Sequence, residues 1–223
     1  MTVAAVVLVP GRDDAHTVVG GVAAIRRIAD VAWAGGALPI VVVTRDEAEA
    51  LDVGAPLSGA AGAVVVAAGT DDEWAGVTAG IAAARDEVDG TDSVLVWPGR
   101  SVHVDAETVT SLIERHGVEP ETLLVPTFEG TPGWPLLLPV DAAAALASGG
   151  VRLADLAARL RGTGTRTHLI ELGDPGIVYD IATPTSELPE FRGPPEPVAG
   201  SAPDWGERVP AIDPSPAPPP GAR

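Results

Sequence analysis

The chain contains no cysteine and no lysine, and only 4% of its 223 residues are aromatic. Without cysteine there is no disulfide, no thiolate metal site and no cysteine nucleophile. Without lysine, all 14 basic residues are arginine, so any cationic site must use guanidinium groups. Long apolar runs are missing too, because the first, Val3 to Val9, is too short to cross a membrane and lacks the basic flank of a signal peptide. These absences predict a cytoplasmic protein with no membrane partner.

Acidic residues are in large excess, and the formal net charge is −17 at pH 7. A nucleic-acid backbone must be met by a basic surface, so this charge argues against DNA or RNA as a partner. It leaves open a local basic pocket for one nucleotide or another small molecule. The apolar fraction of 46% is enough to fill the core of one domain of ordinary size, with an appendage.

Short Val, Leu and Ile runs alternate with Ala-rich stretches as far as about residue 188. Continuous apolar runs are typical of strands covered on both faces. The predicted strands are Val3–Val9, Pro39–Thr44, Ala63–Ala67, Ser93–Trp97, Thr122–Pro126, Leu136–Pro139 and Thr167–Leu172. The predicted helices are Gly20–Ala34, Asp46–Leu51, Glu73–Val88, Asp105–Gly117, Asp141–Ser148 and Leu153–Leu160. This alternation predicts a Rossmann-like, three-layer α/β/α fold with a mainly parallel mixed sheet and helices on both faces.

Local signals place the ends of several helices. Asp105 and Asp141 each precede a helical stretch and are predicted to cap it. Gly35 and Gly36 are predicted to end the first long helix before the second strand.

The composition changes after Phe191, since residues 192–223 include ten prolines and few aliphatic side chains. Such a segment cannot bury enough apolar surface to offset the entropy lost on ordering. We therefore predict an α/β domain over residues 1–191 and a Pro-rich tail over 192–223 that is extended and disordered at its end. Trp205 is predicted to dock into a groove on the domain or on a protein partner.

Two strand ends are candidate places for chemistry. Leu8-Val9-Pro10-Gly11-Arg12 contains the end of the first strand, and Trp97-Pro98-Gly99-Arg100 contains the end of the fourth. In open α/β sheets, ligands bind outside the carboxyl ends of the strands. A strand followed by a glycine turn can bring backbone N–H groups to a phosphate or a base, although a simple turn explains the first segment equally well.

Four segments together carry a family resemblance: Leu8–Arg12, Ser93–Arg100, Val125–Pro135 and Gly173–Glu187. In order and spacing they resemble the motifs of the molybdenum-cofactor nucleotidyltransferases, the MobA-like family, over roughly residues 3–190. The resemblance implies the fold of the nucleotide-diphospho-sugar transferases. The nucleotide-binding residues that it implies are Leu8, Pro10, Gly11, Arg12, Gly76, Thr78, Gly99 and Arg100, and the acceptor-cleft residues are Gly133, Trp134 and Pro135. For Gly76 and Thr78, close helix packing is an equally good explanation.

The chain departs from the family pattern at four points. Arg100 stands where the family has the aspartate that binds magnesium, and no lysine is present to hold the triphosphate. Ala182 replaces a further metal ligand of the family, and Trp134 replaces its cleft histidine. Asp180 matches the family but cannot hold the ion alone, because Mg²⁺ needs several oxygen ligands in near-octahedral array. No metal site is therefore predicted.

The remaining polar candidates have ordinary structural interpretations. Asp13, Asp14 and His16 are interpreted as a solvated polar loop rather than a metal cluster, and Asp105 as a helix cap rather than a replacement ligand. The other histidines are predicted to be surface or edge residues; they are His103, His116 and His168.

Three functional hypotheses follow. The first is a catalytically silent family member, a pseudoenzyme, that binds a nucleotide or cofactor or acts as a protein-interaction module. The alternative is an active enzyme that moves a nucleotidyl group from CTP or GTP to a molybdopterin-type phosphate acceptor. Arg100 and Asp180 are then the candidate catalytic residues, and Arg100 and Arg12 could supply charge to the phosphates. Mg²⁺ is expected as a cofactor only if the chain is active. The third hypothesis is that the tail, with Trp205, recruits a protein partner.

Overall fold

The computed structural model describes residues 2–9, 11–146 and 150–193. Pro10, Trp205 and nearly all of the Pro-rich tail lie outside the described residues, so the expectations for them stay predictions. No helix among the described residues is long and apolar enough to cross a membrane.

The described chain contains ten strands and seven α-helices. The strands are β1 (Thr2–Leu8), β2 (Val18–Val19), β3 (Val22–Ala23), β4 (Ile40–Thr44), β5 (Ala63–Ala67), β6 (Thr91–Pro98), β7 (Leu123–Phe128), β8 (Thr131–Pro132), β9 (Leu136–Pro139) and β10 (Thr167–Glu171). The helices are α1 (Arg12–His16), α2 (Ala24–Ala34), α3 (Glu47–Leu57), α4 (Glu73–Glu87), α5 (Ala106–Val118), α6 (Val140–Ala144) and α7 (Leu156–Gly162). Short 3₁₀ turns are formed by Leu153–Asp155, Pro175–Ile177 and Thr185–Glu187.

The fold is built around one central sheet. Its strand order is β10-β7-β9-β6-β1-β4-β5, with β8 paired to β7. The pairs that β1 makes with β4 and β6 are parallel, as are β4 with β5 and β7 with β10. β9 runs antiparallel to both of its neighbours, β6 and β7. The predicted mainly parallel mixed sheet is therefore confirmed.

Both faces of the sheet are buried, which is why its strands have continuous apolar sequences. In β1, Ala5 and Val7 belong to one hydrophobic cluster, while Ala4 and Val6 belong to the other. Buried residues of α2, α3 and α5 join the first cluster, and those of α4, α6 and α7 join the second. Helices thus cover both faces, as predicted.

Several helix ends differ from the sequence prediction. The region predicted as the start of a helix at Gly20 is a small hairpin of β2 and β3, because Gly20 and Gly21 both adopt positive φ and form a turn. α3 continues to Leu57 through Pro56, since Val53 and Leu57 are buried against the core. Asp105 caps α5 by accepting from the Glu107 N–H, as predicted. The other predicted cap, Asp141, is wrong: it lies inside α6, whose first residue is Val140.

Two of the three histidines predicted to lie at the surface are buried. His116 is 1% exposed, and its Nε2 lies 2.7 Å from the hydroxyl of Ser93. Burial lowers the pKa of His116, because the charged imidazolium loses its hydration. His103 is also buried and donates from Nε2 to the Thr183 carbonyl at 2.9 Å. Turn and helix-end positions are usually exposed, but here both side chains are covered by the folded chain.

Because α4 packs closely on β1 and β4, a larger side chain at their contact is expected to destabilise the protein. A Cβ added at Gly80 would overlap the side chain of Val6 and lie 2.9 Å from that of Val43. We expect Gly80→Ala to lower the free energy of unfolding by about 1–3 kcal/mol, although alanine is the better helix former. Gly54→Ala on α3 is the matched control, because, apart from its chain neighbours and the backbone of its own helix, no described atom lies within 4 Å of the added Cβ. It should raise stability by about 0.5–1 kcal/mol. Urea unfolding curves measure both, and equal effects of the two variants would contradict the packing argument.

Candidate functional site

A cleft of about 420 Å³ lies at the carboxyl ends of the parallel strands. Because such ends meet at one edge of an open α/β sheet, residues far apart in sequence converge there. The residues that line it are Leu8, Val9, Val43, Thr44, Arg45, Ala68, Thr70, Asp71, Asp72, Glu73, Gly76, Pro98, Arg100, Trp134, Leu153 and Ala154.

Arg100 lines the cleft, two residues after the end of β6. Its Nη1 donates to Asp14 Oδ2 at 2.8 Å, and its Nε donates to Asp180 Oδ2 at 3.0 Å. These hydrogen bonds, that with Asp14 first, raise the pKa of Arg100 further above its usual range. The backbone is fixed too, since the Arg100 carbonyl accepts from the Ile181 N–H at 2.9 Å and the Gly99 N–H donates to Leu8 at 2.7 Å. The guanidinium group therefore bridges two carboxylates from opposite ends of the chain.

Arg45 is the second cation of the cleft, immediately after β4. Its Nε lies 3.4 Å from Glu49 Oε2, and its Nη1 lies 3.8 Å from Asp71 Oδ1. The hydrogen bond to Glu49 is the main reason why the pKa of Arg45 is raised. Both arginines that line the cleft are thus already paired with carboxylates.

The rim of the cleft also has an acidic part, which holds the segment around Leu153 in place. Asp72 caps α4 by accepting from the Ala75 N–H at 2.7 Å, and its other oxygen accepts from the Gly150 N–H at 2.9 Å. These two bonds lower the pKa of Asp72, since they favour the carboxylate. Glu73 accepts from the Leu153 N–H at 2.6 Å. Leu153 is therefore held over one side of the cleft.

The loop between β8 and β9 brings Trp134 to the cleft. The Gly133 N–H donates to the Pro126 carbonyl at 3.0 Å, and the Trp134 N–H donates to the Ile177 carbonyl at 2.9 Å. Gly133 packs so tightly on the Ile177 backbone that a Cβ would overlap it. Pro135 is buried behind Trp134. The half-buried Trp134 ring consequently has a fixed support.

The structure brings together part of the predicted site. Leu8, Gly76, Arg100 and Trp134 all line the cleft, Gly99 adjoins it, and Asp180 reaches it through Arg100. Thr78 does not line it, because it is exposed on α4 and its hydroxyl donates to the Trp74 carbonyl. Gly11 has an extended backbone with φ 170° before α1, which Arg12 begins. Pro10 and the side chain of Arg12 lie outside what the structure describes.

Several cleft residues were not identified from the sequence. The predicted polar loop at 12–16 is the short helix α1, and Asp14 is an ion-pair partner of Arg100 rather than a solvated residue. His16 is likewise paired, with Asp52 at 2.8 Å. Arg45 and the acidic rim were missed, although Arg45 follows β4 directly and the rim lies in the short loop that leads from β5 into α4. That position after a strand is the signal that could have revealed them.

The magnesium ion that the family resemblance implies does not fit these residues. The space between Asp14 and Asp180 is taken by the guanidinium group of Arg100, whose positive charge repels a divalent cation. Ala182 offers no side-chain oxygen. Among the described residues, no group of three or more His, Asp or Glu side chains is placed to hold a metal ion.

The sequence matches the family model described as MobA-like NTP transferase domain over residues 10–165. No curated protein sequence matches the chain.

Three known structures with the same fold are remote in sequence. A nucleotidyl transferase from Methanothermobacter thermautotroptrophicus is 22% identical with a TM-score of 0.62, over 81% of this chain and 91% of that one. A 4-diphosphocytidyl-2C-methyl-D-erythritol synthase is 19% identical with a TM-score of 0.64, over 82% and 94% of the two chains. A Mycobacterium tuberculosis H37Rv protein in complex with manganese is 16% identical with a TM-score of 0.59, over 77% and 89%. At these identities the likeness establishes the nucleotidyltransferase-like fold.

Proposed function

Because the chain belongs to the MobA-like NTP transferase domain family, we propose that it is a catalytically silent member that binds a nucleotide-like or cofactor-like small molecule in its cleft. The observation that carries the proposal is the Arg100 bridge. A guanidinium group lies between Asp14 and Asp180, at the strand end where the family resemblance calls for a metal-binding aspartate. Arg100 supplies no oxygen ligand, and its own charge is already neutralised by two carboxylates.

The alternative, an active enzyme in which Arg100 stabilises phosphate charge directly, needs that guanidinium to be available. Arginine forks do stabilise phosphoryl groups when their donors face the substrate. Here Nη1 and Nε of Arg100 already donate to carboxylates, so a phosphate would have to use the remaining Nη donors of a guanidinium whose charge is already balanced by Asp14 and Asp180. The pairing of Arg100 with the two carboxylates therefore favours a catalytically silent protein over an active enzyme.

Pyrophosphate release tests the proposal. The full chain is incubated with CTP or GTP, Mg²⁺ and molybdopterin, and again with EDTA in place of Mg²⁺. We expect no release above the protein-free background in either condition. Mg²⁺-dependent turnover that Asp180→Asn abolishes would sink the proposal, and metal-independent turnover that Arg100→Ala abolishes would establish the alternative instead. Circular dichroism and thermal unfolding of each preparation verify that the assayed protein is folded.

The proposed role of the Pro-rich tail in recruiting a protein is a separate prediction. Pull-down from a lysate with the full chain and with a chain ending at residue 191 compares the captured proteins. We expect at least one protein to be captured by the full chain and not by the truncated chain. Capture of the same proteins by both chains would refute a role for the tail.

A further inference from the structure

The charges that face the cleft are unsuited to a polyphosphate. Its two described cations, Arg45 and Arg100, are each bound to carboxylates. Three further acidic residues line the rim: Asp71, Asp72 and Glu73. Asp72 is ionised at neutral pH like any ordinary aspartate, and two backbone N–H donors lower its pKa further. A triphosphate entering the cleft would therefore meet carboxylates, while both of these arginines are already paired.

The floor of the same cleft suits a flat, uncharged ring. It is formed by apolar side chains: Leu8, Val9, Val43, Ala68 and Pro98. The cleft volume, about 420 Å³, lies within the range of small-molecule sites. Trp134 adds a half-buried aromatic face on which a base can stack.

The acidic rim can bind the polar part of such a ligand. Carboxylates accept hydrogen bonds only, so they select ligands that carry hydroxyl or amino donors. Asp71 is an accessible acceptor, because 87% of its side chain is exposed and the Arg45 guanidinium is as far as 3.8 Å away. A ribose presents hydroxyl donors, whereas a phosphate presents acceptors and negative charge.

We infer that the cleft binds an uncharged nucleoside, in preference to the corresponding nucleoside triphosphate. This inference rests on the proposed function, since it names the ligand class of the same cleft. The base stacks on Trp134 above the apolar floor, and the ribose hydroxyls donate to the acidic rim. Arg45 and Arg100 keep their carboxylate partners when the ligand is bound.

Calorimetric titration of the full chain with cytidine, guanosine and adenosine, and with their triphosphates with and without Mg²⁺, tests the ligand class. We expect one nucleoside to bind at least about tenfold more tightly than its triphosphate, a difference of about 1.4 kcal/mol. The difference in affinity between nucleoside and triphosphate should become smaller at high salt, because screening weakens the repulsion between the phosphates and the acidic rim. A triphosphate that binds as tightly as its nucleoside, or the absence of binding by all three nucleosides, overturns the inference.

Two tryptophan variants locate the binding. Trp134→Ala should weaken nucleoside binding at least about fivefold, the loss expected when one base–aromatic stack is removed. Trp33→Ala is the matched control, because Trp33 is a half-exposed residue on α2, beside Leu38 and Gly62 and outside the cleft lining. Equal affinities of the two variants would place the ligand elsewhere. The pyrophosphate assay remains independent: tight triphosphate binding without turnover contradicts the ligand class alone, and turnover contradicts the proposed function.

Discussion

Replacement of Asp174 by alanine is expected to lower the free energy of unfolding by about 3–5 kcal/mol, a large share of the stability of a domain of this size. Asp174 is 2% exposed and accepts three hydrogen bonds. Its Oδ2 receives the Asp105 N–H at 2.9 Å and the Thr108 hydroxyl at 2.7 Å, and its Oδ1 receives the Gly176 N–H at 2.8 Å. Alanine at this position leaves all three donors without the carboxylate that accepts from them, in a largely buried region of the protein. Chemical denaturation at neutral pH measures the loss, with Asp86→Ala, an exposed aspartate on α4, as the control expected to change stability by less than about 0.5 kcal/mol.

The pH dependence gives this prediction a second readout. Burial raises the pKa of Asp174 above that of an unfolded aspartate, and outweighs the opposite effect of its hydrogen-bond donors. The folded state therefore holds the proton more tightly than the unfolded state does. This contribution to stability is complete below the unfolded pKa of about 3.9 and is lost as the pH rises through the folded pKa. The stability gap between wild type and Asp174→Ala should accordingly be larger near pH 4 than at pH 7, and a gap that widens with pH would contradict the raised pKa.

Asp174 also connects stability to the cleft. It fixes the 3₁₀ turn Pro175–Ile177 to the start of α5, and the Ile177 carbonyl of that turn receives the Trp134 N–H. Loosening the turn should therefore displace the ring proposed to stack on the ligand. We expect the Asp174→Ala variant, under conditions where it is still folded, to lose ligand affinity along with stability.

The central sheet could be predicted from the sequence because its signals are local. β5 and β9 have the predicted bounds, since each is a continuous apolar run: β9 is buried, and β5, at the edge of the sheet, is partly covered on both faces. The hairpin before α2 was missed because its strands, Val18–Val19 and Val22–Ala23, are too short to show a period. α3 was predicted too short because Gly54 and Pro56 disfavour a helix locally, whereas packing of the last turn against the core sustains it.

The chemistry of the site could be predicted only in part. The sequence places Arg100 at a strand end and shows that the metal-binding aspartate of the family is replaced. It does not show that Asp14 and Asp180, 86 and 80 residues away, converge on that guanidinium. Such pairing depends on three segments meeting at one edge of the folded sheet. It changes the meaning of the substitution, because Arg100 neutralises the carboxylates that remain instead of leaving them exposed.

Arg100→Asp is expected to create a divalent-cation site where the wild type has none. The change removes the guanidinium from between Asp14 and Asp180 and adds a third carboxylate beside them. Three carboxylates without a cation repel one another, and a divalent ion with oxygen ligands relieves that repulsion. We expect the variant to bind Mn²⁺ at least about tenfold more tightly than wild type, measured from the loss of the free Mn²⁺ signal in electron paramagnetic resonance.

Two further variants separate ligation from mere loss of charge. Arg100→Ala removes the same cation without supplying an oxygen, so its Mn²⁺ affinity should lie between those of wild type and Arg100→Asp. Adding Asp180→Asn to Arg100→Asp should return the affinity to the level of Arg100→Ala, because one of three ionised ligands is neutralised. Equal Mn²⁺ binding by wild type and Arg100→Asp would mean that Arg100 already leaves the carboxylates free for metal. The pairing of Arg100 with Asp14 and Asp180 would then not explain the lack of catalytic activity proposed for this domain.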